Sequence, residues 1–392
     1  MPLSGVRVVD LTRILAGPFC SMLLADMGAD VIKIEPPGEG DPVRQQGVIV
    51  EGLSWYFAQF NRNKRSMTLD LYAPQGKEIL ARLLERADVL VENYRPGVLD
   101  RMGFGEARLT ELNPDLIVCG INGYGSTGPY ADRPAFDFIA QAMSGFMSVN
   151  GRDGEEPMRA ATPISDLVAG LYGAFGVACT LVARRSGRAR GQRLESSLVN
   201  GLVSMLAYLS AQYLATGELP SRTGNDHPIA APYGLYQAAD GQVAIAPSTD
   251  EVVRRLFRTL GIEEMLDRPE FATYESRLAH REAVNALVAS KIGSDTVDRW
   301  IERLNGAGVP CGRVADLRAV FSDPQILAQE MVLEVEHPGH GPVRMTGFPV
   351  KFGATPCRLR RPAPELGGDT DDVLRELGLG DQIARLRSAR VV

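Results

Sequence analysis

Leu3–Asp41 reads LSGVRVVDLTRILAGPFCSMLLADMGADVIKIEPPGEGD, and its punctuation decides the fold. Val6–Leu11 is a short apolar run of the kind that forms a buried strand. Gly17–Gly28 has helical composition, with Pro18 suited to the first turn. Val31–Glu35 is a second apolar run, closed by Pro36-Pro37-Gly38. Strand, helix and strand within forty residues make a βαβ unit.

The alternation continues outward. Met67–Leu71 is predicted as a strand, Pro74–Arg86 as an amphipathic helix, and Val89–Glu92, Leu116–Ile121 and Gly191–Ser197 as further strands. Such a series predicts an α/β fold with a mainly parallel sheet, whose ligands gather at the carboxyl ends of strands. A long helix is expected over Leu198–Ala215. Turn formers then dominate Pro220–Pro232 and mark a domain boundary. Beyond it come a hairpin, Tyr233–Ala239 and Gln242–Ala246 around Asp240-Gly241, and helices near Glu251–Leu260, Arg277–Ile292 and Thr296–Ala307. Val332–Glu336 and Val343–Thr346 read as paired strands, Thr355–Pro364 as an extended strap, and Asp371–Leu377 as a short helix.

Composition narrows the class. With 392 residues the chain is long enough for two domains, and a net charge of −6 argues against nucleic-acid binding. Arg7, Asp10 and Arg13 interrupt any signal-peptide core. The cysteines (Cys20, Cys119, Cys179, Cys311, Cys357) are scattered without a CxxC, which fits a reducing cytoplasm. His227, His280, His337 and His340 complete no zinc motif, so no metal is expected.

Ala161–Ala183, ATPISDLVAGLYGAFGVACTLVA, places Asp166 at the mouth of an uncharged apolar run. The run approaches the length of a membrane span but is Gly/Ala-rich, and a buried core helix is the expectation, with no membrane. Gly170, Gly173 and Gly176 fall on nearly one face, where another backbone can pack closely. Ser165 or Asp166 can cap the first turn. Two readings of Asp166 therefore stand: a helix cap, or a carboxylate nucleophile whose charge the helix end favours.

Two further patterns bear on ligands. Gly123-Tyr124-Gly125-Ser126-Thr127-Gly128 matches GxGxxG after a strand, but Pro129 and Pro134 follow where a dinucleotide site needs a helix. It reads as a plain turn or as a loop approaching a ligand. Arg13, Arg62, Lys64, Arg65, Arg95 and Arg101 collect near strand ends, either as a solvated rim or as a polyphosphate site.

In order along the chain, Leu3–Asp41, NRNKRSMTLDL, ADVLVENYRPGVLDRMG, INGYGSTGP, FDFIAQAMSG, PISDLVAGLYGAFG, VEHPGHGPVRMTGFPVKF and PELG resemble the motifs of family III CoA-transferases, the formyl-CoA and carnitine CoA-transferase group. The resemblance implies an interlocked homodimer. It implies a Rossmann-like large domain over residues 1–219, a small inserted α+β domain over 220–330, and a C-terminal segment over 331–392 that returns to the large domain. It implies CoA and acyl-CoA as substrates, with no permanently bound cofactor, and Asp166 as nucleophile. Leu15, Ala16, Leu69, Tyr72, Asn93, Tyr94, Arg95 and Arg101 match CoA-contacting positions, as does the Pro134–Asp137 strip with Phe136 and Asp137. Backbone N–H groups of Gly123, Gly125 and Gly128, or of the helix start, are candidates for stabilising oxyanions. Pro36 stands where some members carry an arginine. TGNDHPIAAPYGLYQAADGQVAIA resembles members using succinyl-CoA and other dicarboxylic acids, with Arg44, Arg62 or His227 as candidate partners for a distal carboxylate. Two alternatives remain: an α-methylacyl-CoA racemase, disfavoured because Phe136 occupies its histidine position, and a non-catalytic CoA-binding protein.

Overall fold

The computed structural model describes residues 1–392. Six strands form one parallel sheet: β1 (Arg7–Asp10), β2 (Asp30–Glu35), β3 (Lys64–Thr68), β4 (Val89–Glu92), β5 (Ile117–Asn122) and β6 (Arg193–Ser197). Their spatial order is β3-β2-β1-β4-β5-β6. The direction of winding reverses between β1 and β4, which opens a crevice at the carboxyl ends of the strands.

Helices α1 (Ala16–Asp26), α2 (Pro74–Leu84), α3 (Asp137–Met143) and α4 (Ile164–Arg185) accompany this sheet. One apolar cluster joins Val9, Ile32, Met67 and Leu90 to Leu80 and Leu83 of α2. A second joins Val8, Val89 and Cys119 to Cys20 and Leu24 of α1 and Val177 of α4. Both faces of the strands are thus buried, which is why they read as continuous apolar runs rather than alternating ones.

β3 starts three residues before the expected Met67. Lys64 and Arg65 looked like loop residues, yet Lys64 is fully buried. Its Nζ donates to Asp10 Oδ2 (3.1 Å), Asn61 Oδ1 (2.9 Å) and the Pro18 carbonyl (3.0 Å). A buried ammonium is tolerated when it is paired and hydrogen-bonded in this way.

The sequence reading expected α4 to be a buried core helix, but only one of its faces is buried. Its glycine face is: a Cβ on Gly170 would lie 2.5 Å from the Ala16 carbonyl oxygen, and one on Gly173 would lie 3.2 Å from Cys20 Sγ. The opposite face leaves Leu171, Phe175 and Val182 exposed. The close approach of α1 and α4 makes Gly170→Val a sensitive test. Overpacking is expected to destabilise the fold by about 1–3 kcal/mol, read as a lowered urea midpoint with unchanged slope.

The chain divides into two units, residues 1–146, 159–211 and 325–392 forming the first and residues 147–158 and 212–324 the second. In the second, β7 (Gly234–Ala238), β8 (Gly241–Ile245) and β9 (Cys311–Arg313) form an antiparallel sheet in the order β9-β8-β7. α5 (Asp250–Leu260), α6 (Arg281–Ile292) and α7 (Val297–Gly306) close its core through Phe257, Val288 and Trp300. Two expected helices are broken. Leu198–Ser204 and Ala207–Thr216 are separate, with Ala207 at φ +51°. Arg277–Ile292 divides at His280.

In the first unit, β10 (Val332–His337) and β11 (Gly341–Thr346) pair antiparallel. The Thr355–Pro364 strap has no regular structure. Asn63 Oδ1 accepts the Arg360 N–H at 2.7 Å, and the Arg360 guanidinium donates to the Ala25 and Ala29 carbonyls.

Candidate active site

The carboxylate that caps α4 is Asp137, not Asp166. Asp137 is buried at the start of α3, and its Oδ1 accepts from the Ser165 N–H (3.0 Å) and hydroxyl (2.9 Å). Its Oδ2 accepts from Gln141 Nε2 (2.7 Å), and Gln141 Oε1 accepts the Ala160 N–H. This network clamps the entry to α4 on both sides of Pro163.

Asp166 lies one residue further on, half-buried in the first turn, and its carboxylate accepts no hydrogen bond within the chain. Burial first, and the Asp137 charge second, push its carboxyl pKa up to about 7. The helix end was expected to favour the Asp166 charge; burial and Asp137 oppose it. Desolvation and a neighbouring like charge outweigh the dipole, worth only about 1 kcal/mol. Asp166 acts in turn on Tyr56, whose phenol is raised to about 12 by burial, Asp166 and Asp41. A half-buried carboxylate without donors is poorly solvated, and hence more nucleophilic than one in water.

A separate cavity of about 440 Å³ opens at the carboxyl ends of β1 to β4. Leu69, Tyr72, Tyr94 and Arg101, four of the positions matched to CoA contacts by resemblance, line it together with Pro36. Tyr72 is 89% exposed and offers an open ring face at the rim. Arg13, Lys77 and Arg101 line the cavity without a carboxylate partner, an arrangement suited to phosphate groups. Lys77 was missed because it sits on the polar side of an amphipathic helix, where a solvated lysine is the ordinary expectation.

Other proposed contacts lie elsewhere. Leu15 and Ala16 are buried at the start of α1, so only their backbone can meet a ligand. Asn93 is occupied in fixing Arg13: its side chain accepts that residue's N–H (3.0 Å) and donates to its carbonyl (2.8 Å). Arg95 is exposed outside the cavity lining, and Phe136 is 70% exposed. Asp137 is consumed by the α4 clamp.

The glycine loop is less available than expected. The Gly125 N–H donates to Asn122 Oδ1 (2.6 Å) and the Ser126 N–H to Glu195 Oε1 (2.9 Å). Gly125 and Gly128 have φ of +97° and +91°, and Gly123 packs against Ala135, so the loop is a fixed turn. The Asp166 N–H is the first-turn donor of α4 left without an acceptor.

The basic cluster also divides. Arg62 is clamped to Asp26, Lys64 to Asp10, and Arg65 to Asp30 and Glu376. Arg44 pairs with Glu35 through two hydrogen bonds (2.7 and 2.8 Å). Neither Arg44 nor Arg62 is free for a substrate carboxylate. His227 lies in the second unit, against Tyr233.

The CoA-transferase family III model matches residues 3–370. The chain belongs to this family. Among relatives similar to this family III chain is the succinyl-CoA--D-citramalate CoA-transferase of Chloroflexus aurantiacus, 36% identical over 100% of this chain and 98% of that protein. The acetyl-CoA:oxalate CoA-transferase of Acetobacter aceti is 38% identical over 93% of each. A CAIB/BAIF family protein from Brucella suis, solved by crystallography, is 37% identical and superposes with a TM-score of 0.84 over 96% of this chain and 99% of that one. The chain is thus a family III CoA-transferase, an enzyme working on CoA thioesters and carboxylates. Relatives of oxalate and citramalate type match it with comparable identity.

Proposed function

We propose that this transferase moves CoA from succinyl-CoA, or another dicarboxylyl-CoA, to a carboxylic acid through Asp166. The carrying observation is the Asp166 carboxylate, half-buried at a clamped helix start and without a hydrogen-bond partner.

An Asp166 oxygen attacks the thioester carbonyl, the C–S bond breaks, and CoA thiolate leaves an aspartyl-acyl anhydride. The thiolate then attacks the Asp166 carbonyl carbon, and the donor acid departs as its carboxylate. An aspartyl-CoA thioester remains. The acceptor carboxylate attacks that thioester and releases the thiolate, and the thiolate attacks the acceptor carbonyl of the new anhydride. Acceptor-CoA and the Asp166 carboxylate result. Every nucleophile is an anion, so no proton is transferred. The free Asp166 N–H at the α4 start is the proposed oxyanion donor, worth about 3 kcal/mol for a preorganised group. Arg13, Lys77 and Arg101 hold the phosphates of CoA, and Tyr72 stacks on its base.

A nucleophile with a pKa of about 7 predicts a pH profile. Ionisation is required, so kcat/KM rises tenfold per pH unit below about 7 and levels off above it. A flat profile from pH 5.5 to 8.5 would contradict this role. The racemase reading finds no support, since Phe136 carries no titratable atom.

A homodimer is the proposed assembly. Phe136, Phe138 and Met143 around α3 and Leu171 and Phe175 on α4 are large apolar side chains left open in a lone chain. Sedimentation should give twice the 42.5 kDa chain mass, and a monomer at micromolar concentration would contradict it.

A further inference from the structure

β10 ends at His337, and the turn Pro338-Gly339 brings His340 back beside it. The His340 N–H closes the turn on the His337 carbonyl at 2.9 Å, and Gly339 at φ +77° supplies the left-handed residue it needs. The two imidazoles meet edge to face with centroids 5.2 Å apart. The proline-rich strap then delivers Glu365 to the same point. Glu365 Oε1 lies 3.9 Å from His337 Nδ1 and 3.9 Å from His340 Nε2. One ligand atom from each of the three residues falls within 4.8 Å of the others.

Each imidazole has one unsatisfied nitrogen. His337 is only 3% exposed, yet its Nε2 is buried without a hydrogen-bond partner, and so is His340 Nδ1. Leaving such an atom unpaired is destabilising, and buried polar groups in folded proteins are ordinarily paired. The two unpaired atoms are the ring nitrogens opposite those measured to Glu365; His337 Nδ1 itself lies 3.5 Å from the Pro338 carbonyl oxygen. His337 and Glu365 face a cavity of about 290 Å³. The one guanidinium on that cavity, Arg361, is neutralised by Asp369 at 2.7 Å, so it does not oppose a cation.

We infer that His337, His340 and Glu365 form a binding site for a divalent transition metal of the zinc type. Two imidazoles and one carboxylate are a borderline donor set that favours zinc over magnesium or calcium. Tetrahedral zinc with ligands at 2.0–2.2 Å needs donors about 3.3 Å apart. The exposed Glu365 side chain closes the remaining gap, and imidazole orientation adjusts to the ion it holds. Three protein ligands leave a fourth position for water from the cavity. The ion joins the β10–β11 turn to the strap, which is itself tied to the sheet through Asp369 and the Ser66 N–H (2.9 Å). The site is distinct from Asp166 and from the phosphate-facing cavity, so it is independent of the proposed chemistry. The sequence alone did not suggest it, because the third ligand arrives 25 residues after His340.

The test uses tag-free full-length protein, stripped with chelator and dialysed against zinc chloride, with bound metal counted by mass spectrometry. One zinc per chain is expected, with a melting temperature that climbs as zinc is added. His340→Gln and Glu365→Gln, both at partly exposed positions, should each weaken binding at least tenfold and remove the thermal shift, while transferase activity stays unchanged. Cobalt in place of zinc should give the visible absorption of a four-coordinate ion in the parent protein and lose it in either variant. Binding that is absent, or that survives both substitutions undiminished, would overturn the site.

Discussion

Asp166→Asn is expected to reduce CoA exchange by a factor on the order of 10³ or more, because an amide cannot supply the attacking carboxylate. CoA binding should change little, since Asp166 does not line the cavity at the carboxyl ends of β1 to β4. Stability should move the opposite way. Burial and the Asp137 charge push the folded carboxyl up to about 7 from its ordinary value of 3.8. Its contribution to stability is therefore fully present below about pH 4 and is lost as the pH rises through about 7. At pH 8 the native state carries an ill-solvated charge, and asparagine removes it. Allowing for partial exposure, Asp166→Asn should stabilise the protein by about 1–2 kcal/mol at pH 8 and by almost nothing at pH 4. A variant that loses activity by unfolding would melt lower, so the two effects together separate a nucleophile from a structural cap.

Arg62→Met should have the largest effect on stability. The Arg62 guanidinium is 1% exposed and donates to both oxygens of Asp26, with Nη2 at 2.7 Å from Oδ2, and to the Thr346 carbonyl at 2.7 Å. Burial already raises the Asp26 pKa, with Arg62 opposing it. Removing the guanidinium strands a 4%-exposed carboxylate with only the Asn63 amide. Losing one partner of a buried pair costs about 3–5 kcal/mol, whereas replacing both by apolar groups is often near neutral. Thermal melts should therefore show a large loss in Arg62→Met and recovery of most of it in Asp26→Leu/Arg62→Met. The acceptor KM should be unchanged in the double variant, because Arg62 does not face substrate.

Legibility followed the type of interaction. Strands buried on both faces announce themselves as apolar runs, so Val6–Leu11 and Val89–Glu92 could be read directly. Asp166 could be placed at a helix mouth because Pro163 and the uncharged run after it are local signals. Lys64 and Arg62 could not be read as interior residues, because the carboxylates that neutralise them, Asp10 and Asp26, lie 54 and 36 positions away. The cap on α4 escaped for the same reason: Asp137 acts from 28 residues upstream on Ser165. The break before Ala207 interrupts an apolar run without glycine or proline at the kink, so periodicity passed through it. Lys77, Arg13 and Arg101 meet only when three strand ends are brought side by side.

The central claim is that Asp166 becomes covalently acylated and thioesterified during turnover. Its most direct test is peptide mass spectrometry after incubation with succinyl-CoA and trapping with hydroxylamine. The account predicts a hydroxamate on Asp166, formed faster above pH 7 than below and absent in Asp166→Asn. Active enzyme that yields no hydroxamate during turnover, or yields it at another residue, would contradict it.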